Sequence, residues 1–292
     1  MPDNRNLKAY LLLIALALIW GTSFILIKQG LKVYAPQQVA TIRVSAAFLF
    51  LLPVALTKLK GLKPEDYKTL FVSGLLGIFF PAFLFATAQT RMDSSVTGIL
   101  NTLSPICTMI IGALFFDQRF RGWAMLGTMI GLAGTVMLML SRVGGSVTGI
   151  NYYSLLIVVA CLMYGSNLNW VKFRIHGLPA LTITSVSIML IGPMAHVYLL
   201  GFTDFTTRLS TVEGSWTAFG FVVLLGCMST AVATWLFNLL VKISTPLFAS
   251  SVTYLMPIVS VGWGLLDGEQ LYAGHYVGMV AILGGVYLAN RK

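Results

Sequence analysis

Long apolar runs separated by short polar segments recur along the whole chain. The runs lie near residues 10–27, 38–57, 67–89, 94–116, 120–141, 152–171, 179–201, 215–241, 245–266 and 272–290. An α-helix rises about 1.5 Å per residue, so roughly 20 apolar residues cross the hydrocarbon core of a bilayer. The pattern predicts an all-α integral membrane protein with ten transmembrane helices, numbered here as spans 1 to 10.

The fourth span carries a polar stripe that a helix surrounded by lipid would not need. Small or polar residues recur there at helical spacing: Thr97, Asn101, Ser104, Thr108 and Gly112. Polar groups in hydrocarbon need hydrogen-bond partners, so this face is expected to line other helices or a cavity. The stripe is repeated in span 9, where Pro257 lies 152 residues after Pro105 and Thr253 takes the position of Asn101.

The repeat extends over the rest of the chain. Trp20 in span 1 and Tyr164 in span 6 are each followed by glycine, and residues 75–77 in span 3 correspond to residues 224–226 in span 8. Spans 5 and 10 share a pattern of small residues. The duplication therefore covers five spans in each half of the chain.

These pairs predict two five-helix repeats, residues 1–143 and 144–292. Because five is an odd number, the second repeat would enter the membrane inverted, as in many secondary transporters that rock around a midplane binding site. Of the 19 Lys and Arg residues, 13 fall in segments on the side of the N-terminus and five on the other side. Lys and Arg are enriched in cytoplasmic loops, so both termini are expected to be cytoplasmic.

The composition agrees with a membrane protein and disagrees with a nucleic-acid-binding one. Hydrophobic residues make up 57% of the chain and charged residues only 10%, whereas soluble proteins carry about 25% charged residues. The net charge of +10 arises from short loops and not from a contiguous basic patch, so no nucleic-acid partner is expected. The expected location is the lipid bilayer of a bacterial inner membrane, with which the lack of Asn-x-Ser/Thr sequons agrees.

Groups for catalysis or metal binding are missing from the predicted spans. The three cysteines (Cys107, Cys161 and Cys227) lack metal-ligand spacing and are interpreted as small buried hydrophobic residues. No acid–base pair or activated nucleophile lies at membrane depth, so neither an enzyme nor a cofactor is expected. No Asp or Glu lies in the middle of a span, which leads to the hypothesis of facilitated or only weakly proton-coupled transport.

Several short motifs resemble one transporter family. Pro105 in Leu-Ser-Pro-Ile is followed by Phe-Phe-Asp-Gln-Arg-Phe at residues 115–120, and the second copy ends in Gly-Glu-Gln-Leu at residues 268–271. Trp20 before glycine and Arg43 after isoleucine complete the set. Together they resemble the EamA-type domain of the drug/metabolite transporter superfamily, in two tandem copies over nearly the whole chain.

The resemblance implies a central pathway lined by spans 1, 3, 4, 6, 8 and 9, with spans 5 and 10 outside it. Bacterial members of the family commonly export amino acids or related metabolites, and others carry nucleotide sugars, sugars, cofactors or drugs. The expected function is secondary transport of small polar or amphiphilic metabolites, amino acid export first, by alternating access in a monomer. A transporter of another solute class and a channel-like protein are the alternatives.

The predicted substrate-binding residues are polar or aromatic and lie on the spans implied to line the pathway. They are Trp20, Phe24, Phe85, Asn101, Tyr164, Asn167, Thr234, Asn238, Thr253 and Tyr254. Each has a structural alternative: the amides could join helices or cap a broken helical bond, and the aromatic rings could pack against helices or lipid. Asn167 and Asn169 project about 200° apart on a helix, so at most one of them is expected to face the cavity.

Prolines and charges near the predicted pathway are interpreted as gating or hinge elements. Pro105 and Pro257 are expected to mark bends, while Asp117 and Glu269 are gate latches or solvated loop charges. Arg43 is expected to extend towards lipid headgroups or to cap a neighbouring helix, because span 2 is not expected at the centre. Attraction of a substrate carboxylate is the alternative for this arginine.

Overall fold

The computed structural model describes residues 4–92, 94–142, 152–266 and 273–289, and within these ranges every regular element is helical. In chain order the helices are α1 (Asn4–Leu31), α2 (Pro36–Lys58), α3 (Pro64–Ala88), α4 (Ser94–Asn101), α5 (Ser104–Phe115), α6 (Gly122–Arg142), α7 (Ser154–Phe173), α8 (Ala180–Gly201), α9 (Phe205–Thr211), α10 (Ser215–Ile243), α11 (Pro246–Ser250), α12 (Val252–Leu266) and α13 (Ala273–Ala289).

Six of the described helices are long and apolar enough to cross a membrane: α1, α2, α3, α7, α8 and α10. Four further apolar helices are shorter, and two of them belong to spans 4 and 9, which are each divided into two helices. The all-α integral membrane fold is confirmed. The number of ten crossings remains a prediction, because length and composition identify only six.

The outer face of α1 illustrates why the fold belongs in lipid. Large aliphatic side chains follow one another at helical spacing and are exposed: Leu7, Leu11, Ile14, Leu18 and Ile25. A soluble protein rarely exposes a continuous apolar stripe of this length. Hydrocarbon chains cover such a surface without cost, while the opposite face of α1 packs against α10 and α12.

The division of span 4 lies directly before its proline. Helix α4 ends at Asn101, and α5 begins at Ser104 with Pro105 in its first turn, where the missing backbone N–H is not needed. An interruption of span 4 therefore lies directly before Pro105, where a bend is expected.

The division of span 9 is not at its proline. Pro257 lies inside α12, whereas the helix is interrupted earlier, at Ser251. Hydroxyl groups around the interruption bond backbone carbonyls: Ser250 Oγ donates to Leu247 O (2.8 Å) and Ser251 Oγ to Phe248 O (2.6 Å). Such bonds compete with the regular helical pattern and bend helices. The interruption of span 9 therefore lies six residues before Pro257, not at the proline where a bend was expected.

Two π-helical segments occupy matching places in the two halves. Leu75–Phe79 forms one within α3, and Leu225–Val232 forms the other within α10. Both segments start within the triplets that the sequence repeat pairs, at Leu75 in residues 75–77 and at Leu225 in residues 224–226. A π-helical turn inside an α-helix is frequently found at a functional site.

Helices α6 and α13 pack against each other at backbone distance, to one side of the molecule. A Cβ on Gly134 would lie 2.8 Å from the amide nitrogen of Ile282, and one on Gly285 would lie 2.5 Å from that of Gly131. Small residues allow this approach between membrane helices. The pair consists of predicted spans 5 and 10, whose shared small-residue pattern is explained by this contact.

Candidate functional site

A cavity of about 110 Å³ lies between helices from both halves of the chain. Its wall is formed by Trp20, Ser23, Phe24, Ile27, Arg43, Gly77, Ile78, Phe85, Asn101, Ser104, Tyr164, Asn167, Leu168, Ser229, Thr230, Thr234, Phe237, Asn238, Ser250, Val252, Thr253 and Met256. These residues belong to spans 1, 3, 4, 6, 8 and 9, the six that the family resemblance implies, and to α2. No described residue of α6 or α13 contributes to the wall.

Nine of the ten predicted substrate-binding residues lie in this wall, and Tyr254 does not. The Tyr254 hydroxyl donates to the carbonyl of Thr128 on α6 (3.0 Å), and its ring packs against Gly131 of the same helix. Neighbouring residues on a helix project about 100° apart, so Thr253 faces the cavity while Tyr254 faces α6. Tyr254 is therefore a packing residue, which corrects its assignment to the site.

Asn101 ends α4 at the break and lines the cavity with a weakly satisfied amide. Its Oδ1 lies 3.3 Å from the hydroxyl of Ser104, and its Nδ2 lies 3.9 Å from the sulfur of Met256 on α12. A thioether is a weak acceptor. Asn101 thus joins α4 to α12 loosely and presents donor capacity to anything that enters the cavity.

Asn167 faces the cavity and lies directly over the π-helical segment of α3. Its Oδ1 accepts a hydrogen bond from Ser73 Oγ (2.8 Å), and its Nδ2 occupies the space that a Cβ on Gly77 would fill. Glycine at position 77 is therefore what lets α7 bring an amide against α3.

Asn169 points away from the cavity and fixes α7 to α5. Its Nδ2 donates to the carbonyls of Thr108 (3.0 Å) and Gly165 (2.9 Å), and its Oδ1 accepts from the side chain of Gln118. Of the two asparagines on α7, one lines the site and the other joins helices, as the spacing predicts.

The wall supplied by α10 is rich in hydroxyl and amide groups. Asn238, which is 5% exposed, donates from Nδ2 to the hydroxyl of Thr184 on α8 (2.8 Å). Thr234 lies one turn before it, and Thr230 one turn earlier still, on the π-helical segment. The polar face predicted for span 8 therefore lies against the cavity.

Aromatic side chains form two other parts of the wall. The rings of Trp20 and Phe237 meet edge to face at 4.9 Å, and the Trp20 indole donates to the carbonyl of Ser229 (2.9 Å). Phe85 and Tyr164 face each other with ring centroids 6.0 Å apart. The cavity therefore combines apolar aromatic surface with amide and hydroxyl groups, which suits a small amphiphilic molecule.

Arg43 is a wall residue that the sequence analysis placed elsewhere. Its Nε donates to Thr230 Oγ1 (2.6 Å), so the guanidinium turns inward rather than towards headgroups. Helices α2 and α10 approach closely, since a Cβ on Gly226 would lie 2.5 Å from the carbonyl oxygen of Arg43. Arg43 is the one Lys or Arg that lies well inside a predicted span instead of at its end or in a loop, and this isolation was the available signal.

The four predicted gating residues lie outside the wall or outside the described ranges. Pro105 and Pro257 are buried behind it. Asp117 is exposed just after α5, with a φ of 50° in the left-handed region that aspartate tolerates better than most residues. Glu269 lies outside the described residues. No interaction that would make Asp117 a latch is present among the described residues.

Two lysines join α7 and α10 at one end of the cavity. Lys172 Nζ donates to the carbonyls of Val241 (3.1 Å) and Ser244 (2.5 Å), and Lys242 Nζ donates to that of Ile175 (2.6 Å). Each lysine thus caps carbonyls at the end of the other helix, where a positive charge is favourable.

A different network joins the helix ends on the opposite side. Arg208 Nε pairs with Asp204 Oδ2 (2.7 Å), Gln38 Nε2 donates to Asp204 Oδ1 (2.8 Å), and Arg208 also donates to the carbonyl of Val33 (3.2 Å). The hydrogen bond from Arg208 holds the pKa of the Asp204 carboxyl below its usual range. Tyr34 adds a bond to the carbonyl of Ser215 (2.9 Å), and burial raises the pKa of its phenol.

Comparison with known proteins gives two consecutive family matches along the chain. The profile of the EamA-like transporter family matches residues 7–140 and again residues 151–291. The resemblance proposed from short motifs is thereby confirmed, and both matches fall within the predicted repeats.

Curated relatives match over nearly the full length. The "Uncharacterized inner membrane transporter YedA" of Escherichia coli (strain K12) is 26% identical over 302 residues, covering 99% of this chain and 93% of the relative. The "Probable amino-acid metabolite efflux pump" of the same strain is 22% identical over 299 residues, covering 96% and 94%. Family and relatives point to a multi-pass membrane transporter rather than an enzyme.

A protein of known crystal structure has the same fold. It superposes with a TM-score of 0.73 over 97% of this chain and 96% of its own, at 18% sequence identity. At that identity the match supports the helical architecture and carries no information about the substrate.

Proposed function

This chain belongs to the EamA-like transporter family, and we propose that it is a secondary carrier that exports small polar or amphiphilic metabolites, amino acids first among them, by alternating access. The observation that carries the proposal is the cavity itself. Both halves of a duplicated chain contribute to its wall, and four of the spans that supply the wall are interrupted (spans 4 and 9) or π-helical (spans 3 and 8) beside it. Discontinuous helices at a repeat interface are where secondary transporters bind their substrates.

The wall chemistry and one relative support the solute class. Aromatic rings line part of the cavity and amides or hydroxyls line the remainder, so an apolar side chain and polar backbone-like groups each find complementary surface. A relative similar over most of its length is called an amino-acid metabolite efflux pump. Nucleotide sugars, sugars, cofactors and drugs are the alternative cargoes, and a channel is the alternative mode.

The proposed topology places residues 1–143 and 144–292 as inverted five-helix repeats of a monomer, with both termini in the cytoplasm of a bacterial cell. The matching π-helical segments of α3 and α10 support the repeat. The lysine contacts between α7 and α10 would then close the cytoplasmic end of the cavity, and the Asp204 network the outer end.

The proposed transport is facilitated or only weakly coupled to protons. No Asp or Glu belongs to the described cavity wall, so no carboxylate is at hand there to carry a proton in exchange for substrate. Proteoliposomes test this directly. A pH gradient alone is expected to produce no uphill accumulation, and robust accumulation would contradict this part of the proposal.

The carrier function is tested by counterflow in proteoliposomes, with a panel of amino acids, sugars and nucleotides. A carrier gives saturable flux that substrate on the opposite side accelerates, whereas a channel gives flux without this acceleration. Saturable counterflow of at least one amino acid is expected. Counterflow of only a sugar or a nucleotide would refute amino acids as the cargo. Flux that does not saturate would refute the carrier mechanism and favour a channel.

Two asparagines connect this flux to the cavity. Asn101→Ala and Asn238→Ala are expected to lower counterflow to background while the protein remains monodisperse, because each removes a wall amide. Ser166→Ala is the matched control, since Ser166 lies on α7 outside the wall and bonds only its own helix at Leu162 O (2.8 Å). Normal transport in both asparagine variants would contradict the proposal that substrate binds in this cavity.

A further inference from the structure

We propose that Arg43 makes the cavity selective for organic acids: it binds a substrate carboxylate, and no group in the described wall binds a substrate ammonium by charge. The inference rests on the proposed carrier function and narrows its substrate class. An amino acid and the corresponding 2-oxo acid would then be equivalent cargoes, and the corresponding amide would be a poor one.

Arg43 is the one charged side chain in the described wall. All other wall residues are apolar, aromatic, amide or hydroxyl, and no ion pair of Arg43 is present in the described ranges. A lone cation on a membrane-spanning helix is costly unless an anion accompanies it. A substrate carboxylate would supply that anion whenever the cavity is occupied.

The contacts of Arg43 position it for this role. One bond, from Nε to Thr230 Oγ1 (2.6 Å), fixes the side chain, and no bond from its two terminal nitrogens to a described residue is present. The terminal nitrogens of a guanidinium form a planar fork that matches the two oxygens of a carboxylate. Lysine would supply the charge but neither the fork nor the anchoring bond.

The remainder of the wall determines what the carboxylate is attached to. Trp20 and Phe237 form one aromatic surface, Phe85 and Tyr164 another. Polar groups elsewhere are neutral, among them Asn101, so an ammonium group finds hydrogen-bond acceptors but no compensating charge. The carboxylate therefore contributes selectivity that the amino group does not.

The test measures binding to the purified full-length protein in detergent at pH 7 by calorimetry. One probe pair isolates the carboxylate: 4-methylpentanoate against 4-methylpentanamide. A second pair isolates the amino group: leucine against 4-methyl-2-oxopentanoate. Inorganic phosphate is the fifth probe, because a guanidinium fork also accepts phosphate.

In the wild type, the acid is expected to bind at least about tenfold more tightly than the amide, the effect of one charge-assisted contact. Leucine and its 2-oxo acid are expected to agree within about threefold, since no full charge faces the amino group. Equal binding of acid and amide, tighter binding of phosphate than of the acids, or no binding of any probe would each overturn the proposal.

Variants assign the preference to Arg43. In Arg43→Gln the acid-to-amide ratio is expected to fall to about one, because the side chain stays polar but loses its charge. Thr230→Val removes the anchor and retains the charge, so it is expected to weaken both probes and to preserve an acid preference. A ratio that persists in Arg43→Gln would overturn the assignment. If Arg43→Gln does not fold, the same measurement is made on Arg43→Lys. A reduced acid-to-amide ratio is expected, and an unchanged ratio would overturn the assignment to Arg43.

Counterflow separates this inference from the carrier function. Counterflow without an acid preference in binding would leave the carrier standing and overturn the inference. Acid-selective binding lost in Arg43→Gln, without counterflow of any solute, would support the site and refute the carrier.

Discussion

The two halves of the cavity wall share a backbone design and differ in side chains. In the first half, a π-helical segment of α3 supplies Gly77 and Ile78, and Phe85 follows. In the second half, a π-helical segment of α10 supplies Ser229 and Thr230, followed by more polar side chains. The α3 part of the wall is apolar and carries a glycine against which Asn167 packs, whereas the α10 part is lined with hydroxyls and an amide.

This difference indicates that the two repeats share their helical scaffold and have diverged in the side chains that line the cavity. The repeat pairs Phe85 with Thr234, while Arg43 has no arginine counterpart in the second half. The lone charge contributed by α2 is held by the polar wall of α10, through Thr230. The two halves are therefore complementary. A site made of two identical halves would combine neither an apolar surface with a polar one nor a single arginine with its hydroxyl partner.

The largest expected effect comes from replacing Gly77, the glycine of the α3 segment that lies against Asn167. Gly77→Val places a branched side chain where the Asn167 amide lies, so counterflow is expected to fall to background. Gly220→Val is the matched control, because a Cβ at Gly220 on α10 would meet no described atom within 4 Å beyond its own stretch of helix. Loss of transport in both variants would indicate a general effect of a branched side chain in these helices. Retention of transport in both would show that the close contact between Gly77 and Asn167 is not required.

Making the second wall resemble the first is the next test. Thr234→Phe copies the aromatic residue found at Phe85 and fills part of a cavity of only about 110 Å³. Counterflow is expected to decrease by about tenfold or more, the size of a steric penalty of one to a few kcal/mol. Size-exclusion chromatography checks that the variant folds. Unchanged flux would show that the cavity expands at this position without cost.

A smaller effect is expected at the end where Lys172 joins α7 to α10. Lys172→Met removes charged hydrogen bonds to Val241 O and Ser244 O, each of a kind worth about 1.5–3 kcal/mol, and is expected to lower the apparent Tm in detergent. Lys28→Met is the control, because Lys28 precedes Lys172 by 144 residues, as Trp20 precedes Tyr164 in the repeat, and is exposed on α1. An equal decrease in both variants would contradict the asymmetry of the two halves.

The smallest effect is expected at the network that Asp204 forms with Arg208 and Gln38. The pKa of Asp204 is lowered mainly by its hydrogen bond from Arg208, so this carboxylate stabilises the folded state at neutral pH. That contribution is lost as the pH falls below about 4, through the lowered pKa. Asp204→Asn is therefore expected to lower Tm slightly at pH 7 and by less at pH 3. An equal change at both pH values would assign the effect to packing instead of charge.

The sequence was sufficient for the fold class and for most of the wall. Periodic apolar runs identify membrane helices, and polar residues at helical spacing in an apolar run, such as Asn101 or Asn238, need a protein or cavity environment. The wrong assignment of Tyr254 to the cavity has a local cause. Tyr254 follows a wall residue directly, and a one-residue step rotates a side chain by about 100°, which no periodicity argument could assign without the neighbouring helix.

What the sequence determined by itself is therefore the helical membrane architecture, the duplication and the polar stripes, because each follows from hydropathy and spacing along one helix. Only the tertiary structure decided which helix faces which. The inward position of Arg43 depends on the close approach of α2 to Gly226 on α10, and the interruption at Ser251 depends on hydroxyl-to-carbonyl bonds. These outcomes depend on contacts between residues distant in the chain or on side-chain rotamers, which hydrophobic periodicity does not encode.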